Sequence, residues 1–283
     1  MRLIRQNYGK QRVRVLKLMR QAARHELKEL EIGVRLEGDF DASYTAADNS
    51  MVVPTDTMKN TIHALAHQHL GLETEPFLLF LAGHFLAKYA QVERVTLESS
   101  ERSWRRLVID GAAHDHSFQA AEGKPTVEVV AGRGEEPRVS AGIEDLLILK
   151  STASGFAGFP RDEYTTLPET HDRIFATQLA AEWCYAAHPA DWNGAHGAVL
   201  RAIFRVFATT FSPSVQATLY EMAGAALAAC PEMAEITLAL PNKHYLPANL
   251  TAFGLDGTGV SFVPTDEPHG QIEATVARGE AGT

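Results

Sequence analysis

The stretch VPTDTMKNTIH, residues 53–63, carries an unusual concentration of polar groups between an apolar strand end and a helix. Thr55 and Asp56 directly follow Pro54 at the helix start. One interpretation is simple helix capping, because Ser, Thr and Asp are preferred at that position. The other is a binding site, because the free amides of a helix start bind anionic or carbonyl groups. A threonine hydroxyl beside those amides can both donate and accept a proton. The stretch alone leaves both interpretations open.

The stretch KSTASGFAGFPRDEYTTLPETHDR, residues 150–173, is a second candidate, because it is long for a connector between two strands. Phe156 adjoins a glycine, so its ring could lie flat beside exposed backbone. Arg173 could form a structural salt bridge, since Glu169 and Asp172 lie nearby in the sequence. Its planar guanidinium could instead match two acceptors on a flat ligand. The residue types therefore suggest a site for a planar, hydrogen-bonding molecule.

Two further stretches carry side chains that could bind such a molecule. In SVQATLYEM, Val215 and Gln216 lie at another helix start, in the position that mirrors the Thr-Asp pair of the first half. A glutamine amide offers both donors and an acceptor, as an amide-like heterocycle requires, but a solvated first-turn glutamine is the simpler interpretation. In LPNKHY, Asn242 and His244 alternate onto one strand face and Lys243 onto the other.

The elements that must position these residues follow the same order in both halves of the chain. Each half predicts two strands, two helices and two strands, an α+β unit with helices on one face of an antiparallel sheet. The charged turn AGRGEEPR separates the halves, which we predict as domains 1–135 and 136–283. Such sheets leave edge strands that need cover, so we expect self-assembly into a closed barrel and hence a homo-oligomer.

Individual boundaries follow from the periodicity of apolar residues. In the first half we predict strands at 10–20 and 28–39, helices at 57–69 and 76–90, and one strand-like segment each at VERVTLESSERSW, RRLVIDGAAHDHSFQA and PTVEVVAG. In the second half we predict strands at IEDLLILKST and RIFATQLAAEWCYA, helices at 191–210 and 213–229, and one strand each at EITLALPNKHY, near GVSFVP and at GQIEATVAR.

Composition excludes several classes of protein. The formal charge of -9 argues against a general nucleic-acid binder, and with 45% hydrophobic residues the 283-residue chain fits two globular domains. Two cysteines outside any CxxC pattern suggest a reducing compartment. No signal-peptide centre or membrane-spanning run is evident, so we expect a cytoplasmic protein with no membrane partner.

The main alternative interpretation is a metal enzyme, because the chain has 12 histidines that could serve as ligands. His63 and His67 share a predicted helix face, and His114 and His116 share a strand face. Both spacings could ligate a metal. The first pair lacks the glutamate of HExxH, having Ala64 instead, so we expect no catalytic metal.

Together these stretches resemble the urate oxidase (uricase) family, a cofactor-free enzyme family of the tunnelling fold. The resemblance runs over nearly the whole chain, in the family's order, through the motifs YGK, TDTMKNT, HSF, KSTASGFAGFPRDEYTTLPETHDR, SVQATLY and LPNKHY. It implies two tandem tunnelling-fold units that assemble into an oligomeric barrel, a tetramer with active sites at subunit interfaces. It also implies oxidation of urate by O2 and water to 5-hydroxyisourate and hydrogen peroxide, with no cofactor.

The resemblance also implies how the substrate is held. Phe156 would stack on the purine plane. Arg173 and Gln216 would grip opposite edges of urate, with the backbone amide of Val215 helping. Asn242 would lie over the purine face where oxygen or water binds.

A proton relay is the remaining implication. Lys10, Thr55 and His244 would form the relay. Thr55 and the amide of Asp56 would come from a neighbouring subunit, where they would also hold an edge of urate and complete the substrate site. A lysine can act as a base if its pKa is lowered by desolvation or nearby positive charge. A non-catalytic purine or pterin binder of the same fold is the alternative, because fold does not fix function. Such a binder would need neither Lys10 nor His244, and both are present.

Overall fold

The computed structural model describes residues 1–255 and 259–279. The chain divides into two compact units, Met1–Gly142 (unit 1) and the part from Ile143 onward (unit 2). The division falls inside strand β7, Arg138–Lys150, whereas the boundary predicted at 135/136 lies in the turn before that strand. In the described part of the chain, no helix is both long and apolar enough to cross a membrane.

Unit 1 is built on an antiparallel sheet in the order β1-β2-β3-β6. Its strands are β1 Tyr8–Gln21, β2 Arg24–Gly38, β3 Val92–Glu101 and β6 Lys124–Gly132. In β2 the residues Leu30, Ile32, Val34 and Leu36 are all buried, two positions apart. Because successive strand residues point to opposite faces, this spacing places four apolar side chains on one covered face.

Helices cover that sheet. They are the short α1 Asp41–Thr45, α2 Thr55–His69 and α3 Thr74–Lys88. Met58, Ile62 and Ala66 are buried at intervals of four residues on α2, which packs against β1, while α3 packs against β3 and β6. Both long helices begin two residues before the predicted starts.

One predicted strand of unit 1 is a hairpin. RRLVIDGAAHDHSFQA forms most of β4 Trp104–Ile109 and β5 Ala112–Ala120, which pair with each other. Asp110 and Gly111 both have positive φ, 50° and 80°. An Asp-Gly pair with two positive φ angles is the preferred two-residue hairpin turn, so the prediction of a single strand was wrong.

Unit 2 has the same kind of architecture. After β7 come β8 Phe175–Tyr185, α4 Trp192–Thr209, α5 Val215–Ala229, β9 Met233–Ala239, β10 Asn242–Pro247, a 3-10 turn at Thr251–Phe253, β11 Phe262–Gly270 and β12 Glu273–Ala277. The first residues of β8 pair with β10 and its second half with β9, while β11 and β12 pair with β10 and β9. EITLALPNKHY is therefore two strands rather than the one predicted, with Pro241 at the break because proline lacks the N–H that a continuous strand needs.

The helices of unit 2 cover one face of its sheet. Phe175, Leu179 and Trp183 are buried along β8 four positions apart, so they lie on the same face of the strand, and α5 packs against β9 and β12. Phe207 of α4 packs its ring 5.2 Å from that of Phe175. Both units are thus α+β with antiparallel sheets, as the sequence predicted.

Candidate active site

The start of α2 is not capped by the side chains of Thr55 or Asp56. Pro54 occupies the capping position, and within the described residues no side chain caps this helix end. Thr55 and Asp56 are the first two helical residues. The capping interpretation was therefore wrong. The first amides of a helix have no partner within the helix, so those of Thr55 and Asp56 can bind a ligand.

The Asp56 carboxylate is held by its own helix. It accepts hydrogen bonds from Lys59 Nζ at 2.5 Å and from Asn60 Nδ2 at 2.9 Å. Lys59, and to a smaller extent Lys10, lowers the pKa of Asp56. Lys10 thus lies close enough to the start of α2 to act on it electrostatically, although 46 positions separate Lys10 from Asp56 in the sequence.

Tyr8 fixes this arrangement, a function that the sequence analysis missed. The Tyr8 hydroxyl accepts a hydrogen bond from the Val53 amide at 2.7 Å, and its ring packs edge-on against Phe40 with centroids 4.8 Å apart. Burial raises the pKa of Tyr8, so the phenol stays protonated at neutral pH. Two residues later, Lys10 borders a β-bulge in β1, and bulges re-aim neighbouring side chains.

In unit 2, the connector between β7 and β8 folds back on itself. Phe156 and Thr170 exchange backbone hydrogen bonds of 2.7 and 3.0 Å, and the Arg173 amide donates to the Ser154 carbonyl at 2.8 Å. A Cβ on Gly155 would lie 2.9 Å from the Thr170 carbonyl oxygen, so this close approach requires glycine. The folded connector places the Arg173 guanidinium 5.5 Å from the centroid of the Phe156 ring.

Arg173 does not form the salt bridge considered from the sequence. The Asp172 carboxylate accepts from the Thr152 hydroxyl and the Ala153 amide, at 2.8 and 3.1 Å, and Glu169 accepts from a backbone amide at 3.0 Å. The Arg173 Nε atom is buried and has no hydrogen-bond partner among residues 1–255 and 259–279. Burial lowers the pKa of Arg173, but an arginine still stays charged at neutral pH. The geometry therefore offers a partly buried cation to an anionic ligand.

The Phe156 ring has support on one side. Phe159 stacks against it with centroids 4.9 Å apart and planes 12° from parallel. The Arg161 guanidinium lies 5.6 Å from the Phe159 centroid. Offset stacking on an aromatic face is also a favourable arrangement for a flat ligand.

The start of α5 is tied to this connector. Ser214 caps the helix by accepting from the Ala217 amide at 3.1 Å, which leaves Val215 and Gln216 as its first two residues. Val215 is buried, whereas the Gln216 side chain is exposed. Ser212 pairs with Ser154 in an isolated bridge, so the segment that leads into α5 lies directly beside the strand that leads to Phe156.

Asn242 and His244 lie on β10. Asn242 is opposite Thr177 of β8, and His244 is opposite Thr265 of β11. Lys243 forms an ion pair with Asp266 at 3.0 Å. The Thr177 hydroxyl is buried without a hydrogen-bond partner in the described parts of the chain. The side chains of Asn242, Lys243 and His244 are all half-buried.

The predicted site residues thus form two groups. Lys10, Thr55 and Asp56 belong to unit 1, and the other group, Phe156, Arg173, Val215, Gln216, Asn242 and His244, belongs to unit 2. Within residues 1–255 and 259–279, no three His, Cys, Asp or Glu side chains are arranged to hold a metal ion.

Comparison with known proteins places the chain in a family. A family model described as Uricase matches residues 6–130 and 139–273. The uricase of Arthrobacter globiformis is 42% identical over 271 residues, which cover 96% of this chain and 88% of that protein. The uricase of Dictyostelium discoideum is 39% identical over 279 residues, covering 98% and 97%. The crystal structure of the Arthrobacter globiformis uricase superposes with a TM-score of 0.92 at 40% identity, covering all of this chain and 97% of that one. The chain therefore belongs to the uricase family.

Proposed function

We propose that this chain, an enzyme of the urate oxidase class through its family, converts urate, O2 and water to 5-hydroxyisourate and hydrogen peroxide without a cofactor. The observation that carries the proposal is Arg173: a half-buried guanidinium, 5.5 Å from the ring of Phe156, whose Nε has no partner in the part of the chain that the structure describes. An aromatic face beside an available planar cation suits a flat anion with acceptors on its edge. Urate, a monoanion near neutral pH, is such a molecule.

The substrate would bind between the connector and the start of α5. Phe156 stacks on the purine, and Arg173 donates charge-assisted hydrogen bonds to one edge. Gln216 and the Val215 amide bind the opposite edge. The exposure of the Gln216 side chain and the position of both residues in the first turn of α5 support this assignment. Asn242 holds oxygen or water over the purine face.

Proton transfer would involve the group in unit 1. Thr55 takes a second proton from the urate monoanion and passes it to Lys10, and His244 sets the protonation of the relay. The electrostatic influence of Lys10 on Asp56, although the smallest of the effects on that carboxylate, supports this path. The amide of Asp56 binds a urate edge. A positioned acid–base group of this kind contributes roughly 10²- to 10⁴-fold in rate.

The chemistry after proton removal balances without an added redox group. The urate dianion gives two electrons to O2 in two steps, and the reduced oxygen bonds to C5 of the purine as a peroxide. The C–O bond then breaks and hydrogen peroxide leaves with one proton from the relay and one from water. The remaining hydroxide of that water adds at C5 to give 5-hydroxyisourate. Every oxygen and electron thus comes from O2, water or urate.

The assembled form would be a homotetramer with active sites at subunit interfaces. In each site Thr55 and Asp56 come from one subunit, and Phe156, Arg173 and Gln216 come from its neighbour. The separation of the two groups into different units of the chain is consistent with this sharing. Mixing a Thr55→Ala chain with an Arg173→Ala chain tests it, because mixed oligomers would contain some sites with no substitution and regain activity. The cytoplasmic location stays a prediction.

The first experiment uses purified, chelator-treated protein mixed with urate in air. Urate absorbance, oxygen uptake and peroxide are followed together. Equal amounts of urate lost, oxygen consumed and peroxide formed are expected. Tight urate binding without turnover would favour the purine- or pterin-binding alternative. Activity that returns only with added metal would overturn the cofactor-free mechanism.

A further inference from the structure

A pair of buried hydroxyl groups lies where the two substrate-binding segments of unit 2 meet. The hydroxyl-bearing residues Ser212 and Thr218 are 0% and 1% exposed. A buried hydroxyl without a hydrogen bond is costly, so such groups are retained where they have partners. The two hydroxyl groups bond to each other at the start of α5, and the backbone of Ser212 bonds to the Phe156 connector.

Thr218 makes the central contact. Its Oγ1 atom lies 2.7 Å from Ser212 Oγ and 3.0 Å from the Ser214 carbonyl oxygen. A hydroxyl has a single proton and two acceptor positions. Both contacts are satisfied together when Thr218 donates to the carbonyl and Ser212 donates to Thr218. The pair then spans from inside α5 to the segment that precedes the helix.

Ser212 continues the connection through its backbone. Its amide donates to the Ala153 carbonyl at 2.9 Å, and its carbonyl accepts from the Gly155 amide at 2.8 Å. Gly155 directly precedes Phe156. The backbone carbonyl of Ser154, the residue before Gly155, accepts a hydrogen bond from the Arg173 amide. One side-chain contact, Ser212 to Thr218, thus joins the segment that carries Phe156 and Arg173 to the helix that begins with Val215 and Gln216.

We infer that Ser212 and Thr218 are positioning residues, which fix the distance between the two substrate-binding segments. This inference rests on the proposed function. Neither hydroxyl touches substrate in it. Without the pair, α5 would still begin at the Ser214 cap, but its first turn would no longer be tied by a side chain to the connector. Because a binding site must be held within about 0.5 Å of its productive geometry, loss of this contact lowers the affinity for urate.

The test compares Thr218→Val with Thr218→Ser. The valine variant keeps the shape and removes the hydroxyl, while the serine variant keeps the hydroxyl. Loss of one buried hydrogen bond predicts a rise of about 5- to 10-fold in the KM for urate with Thr218→Val. We expect kcat to stay within about twofold, since Lys10 and Thr55 lie in unit 1. For Thr218→Ser, we expect a KM within about twofold of the original.

Thr209→Val is the matched control. The Thr209 hydroxyl makes the same kind of intrahelical bond, 2.7 Å to the Arg205 carbonyl, but Thr209 is exposed at the end of α4. It should leave KM unchanged. Ser212→Ala is the second variant in case Thr218→Val does not fold, because it removes the pair while leaving Thr218 bonded to Ser214. The double variant should raise KM no more than either single change, as expected of residues that act as a unit.

The outcomes distinguish a failure of the proposed function from a failure of the positioning role of Ser212 and Thr218. If the unsubstituted protein does not oxidise urate, the proposed function fails, and calorimetric titration with urate then measures the same expected loss of affinity. If the protein is active and Thr218→Val lowers the melting temperature without changing KM, the pair is merely structural and the inference is wrong. An equal KM rise in the serine and valine variants would also overturn it.

Discussion

Replacing Arg173 with lysine tests the central feature of the site, because the substitution keeps the charge and removes the planar fork. Arg173 is half-buried, and its Nε has no partner in the described residues. In our proposal, the guanidinium makes two parallel bonds to one edge of urate. A lysine at the same position offers a point charge and can keep only one of them.

The expected loss of kcat/KM follows from the loss of one hydrogen bond between the side chain and urate. A hydrogen bond to a charged group contributes about 1.5–3 kcal/mol. Because 1.36 kcal/mol corresponds to tenfold, the Arg173→Lys variant should lose about 10- to 150-fold in kcat/KM for urate. Packing should change little, since the long alkyl stem remains.

The assay is steady-state urate oxidation, with urate absorbance and oxygen uptake measured together. Arg161→Lys is the matched control, because Arg161 lies over Phe159 on the same connector and is exposed. Its kcat/KM should stay within about twofold. A value for Arg173→Lys within threefold of the unsubstituted protein, in a variant that melts normally, would refute the bidentate interpretation.

Three other predictions concern catalysis, stacking and pH. Thr55→Ala should lower kcat by roughly 10²-fold or more while urate still binds, since it removes a positioned proton carrier; a fall of less than fivefold would contradict this. Phe156→Leu should raise KM about 3- to 10-fold through lost stacking, with a smaller rise for Phe159→Leu, and an unchanged KM would exclude a stacking contact. Burial raises the pKa of Glu75 above its usual value of 4.5, so its ionisation opposes folding as the pH increases. The Glu75→Gln variant lacks this ionisation. The difference between its free energy of unfolding and that of the original protein should therefore increase between about pH 4.5 and 7, and a decrease over that range would contradict the raised pKa of Glu75.

The sequence predicted the α+β class and nearly all helices and strands, because apolar residues recur with periods that only one type of element can bury. The short helix α1, Asp41–Thr45, was not predicted, and two other failures lie where local chemistry overrides periodicity. Asp110 and Gly111 form a tight turn inside an alternating pattern, and Pro241 divides what looks like one strand. Both signals are present in the sequence, but each consists of one or two residues within a longer apolar run.

For the candidate site, the sequence determined which chemical groups are available: a threonine and free amides at a helix start, an arginine near an aromatic ring, and a glutamine in a mirrored position. Tertiary structure decided which of these groups remain free to bind. Pro54 takes the capping position, so Thr55 keeps its hydroxyl available. Asp172 binds Thr152 and Ala153 rather than Arg173. Such outcomes depend on which acceptor each donor reaches in space, and this depends on the chain folding back over distances that sequence spacing does not encode.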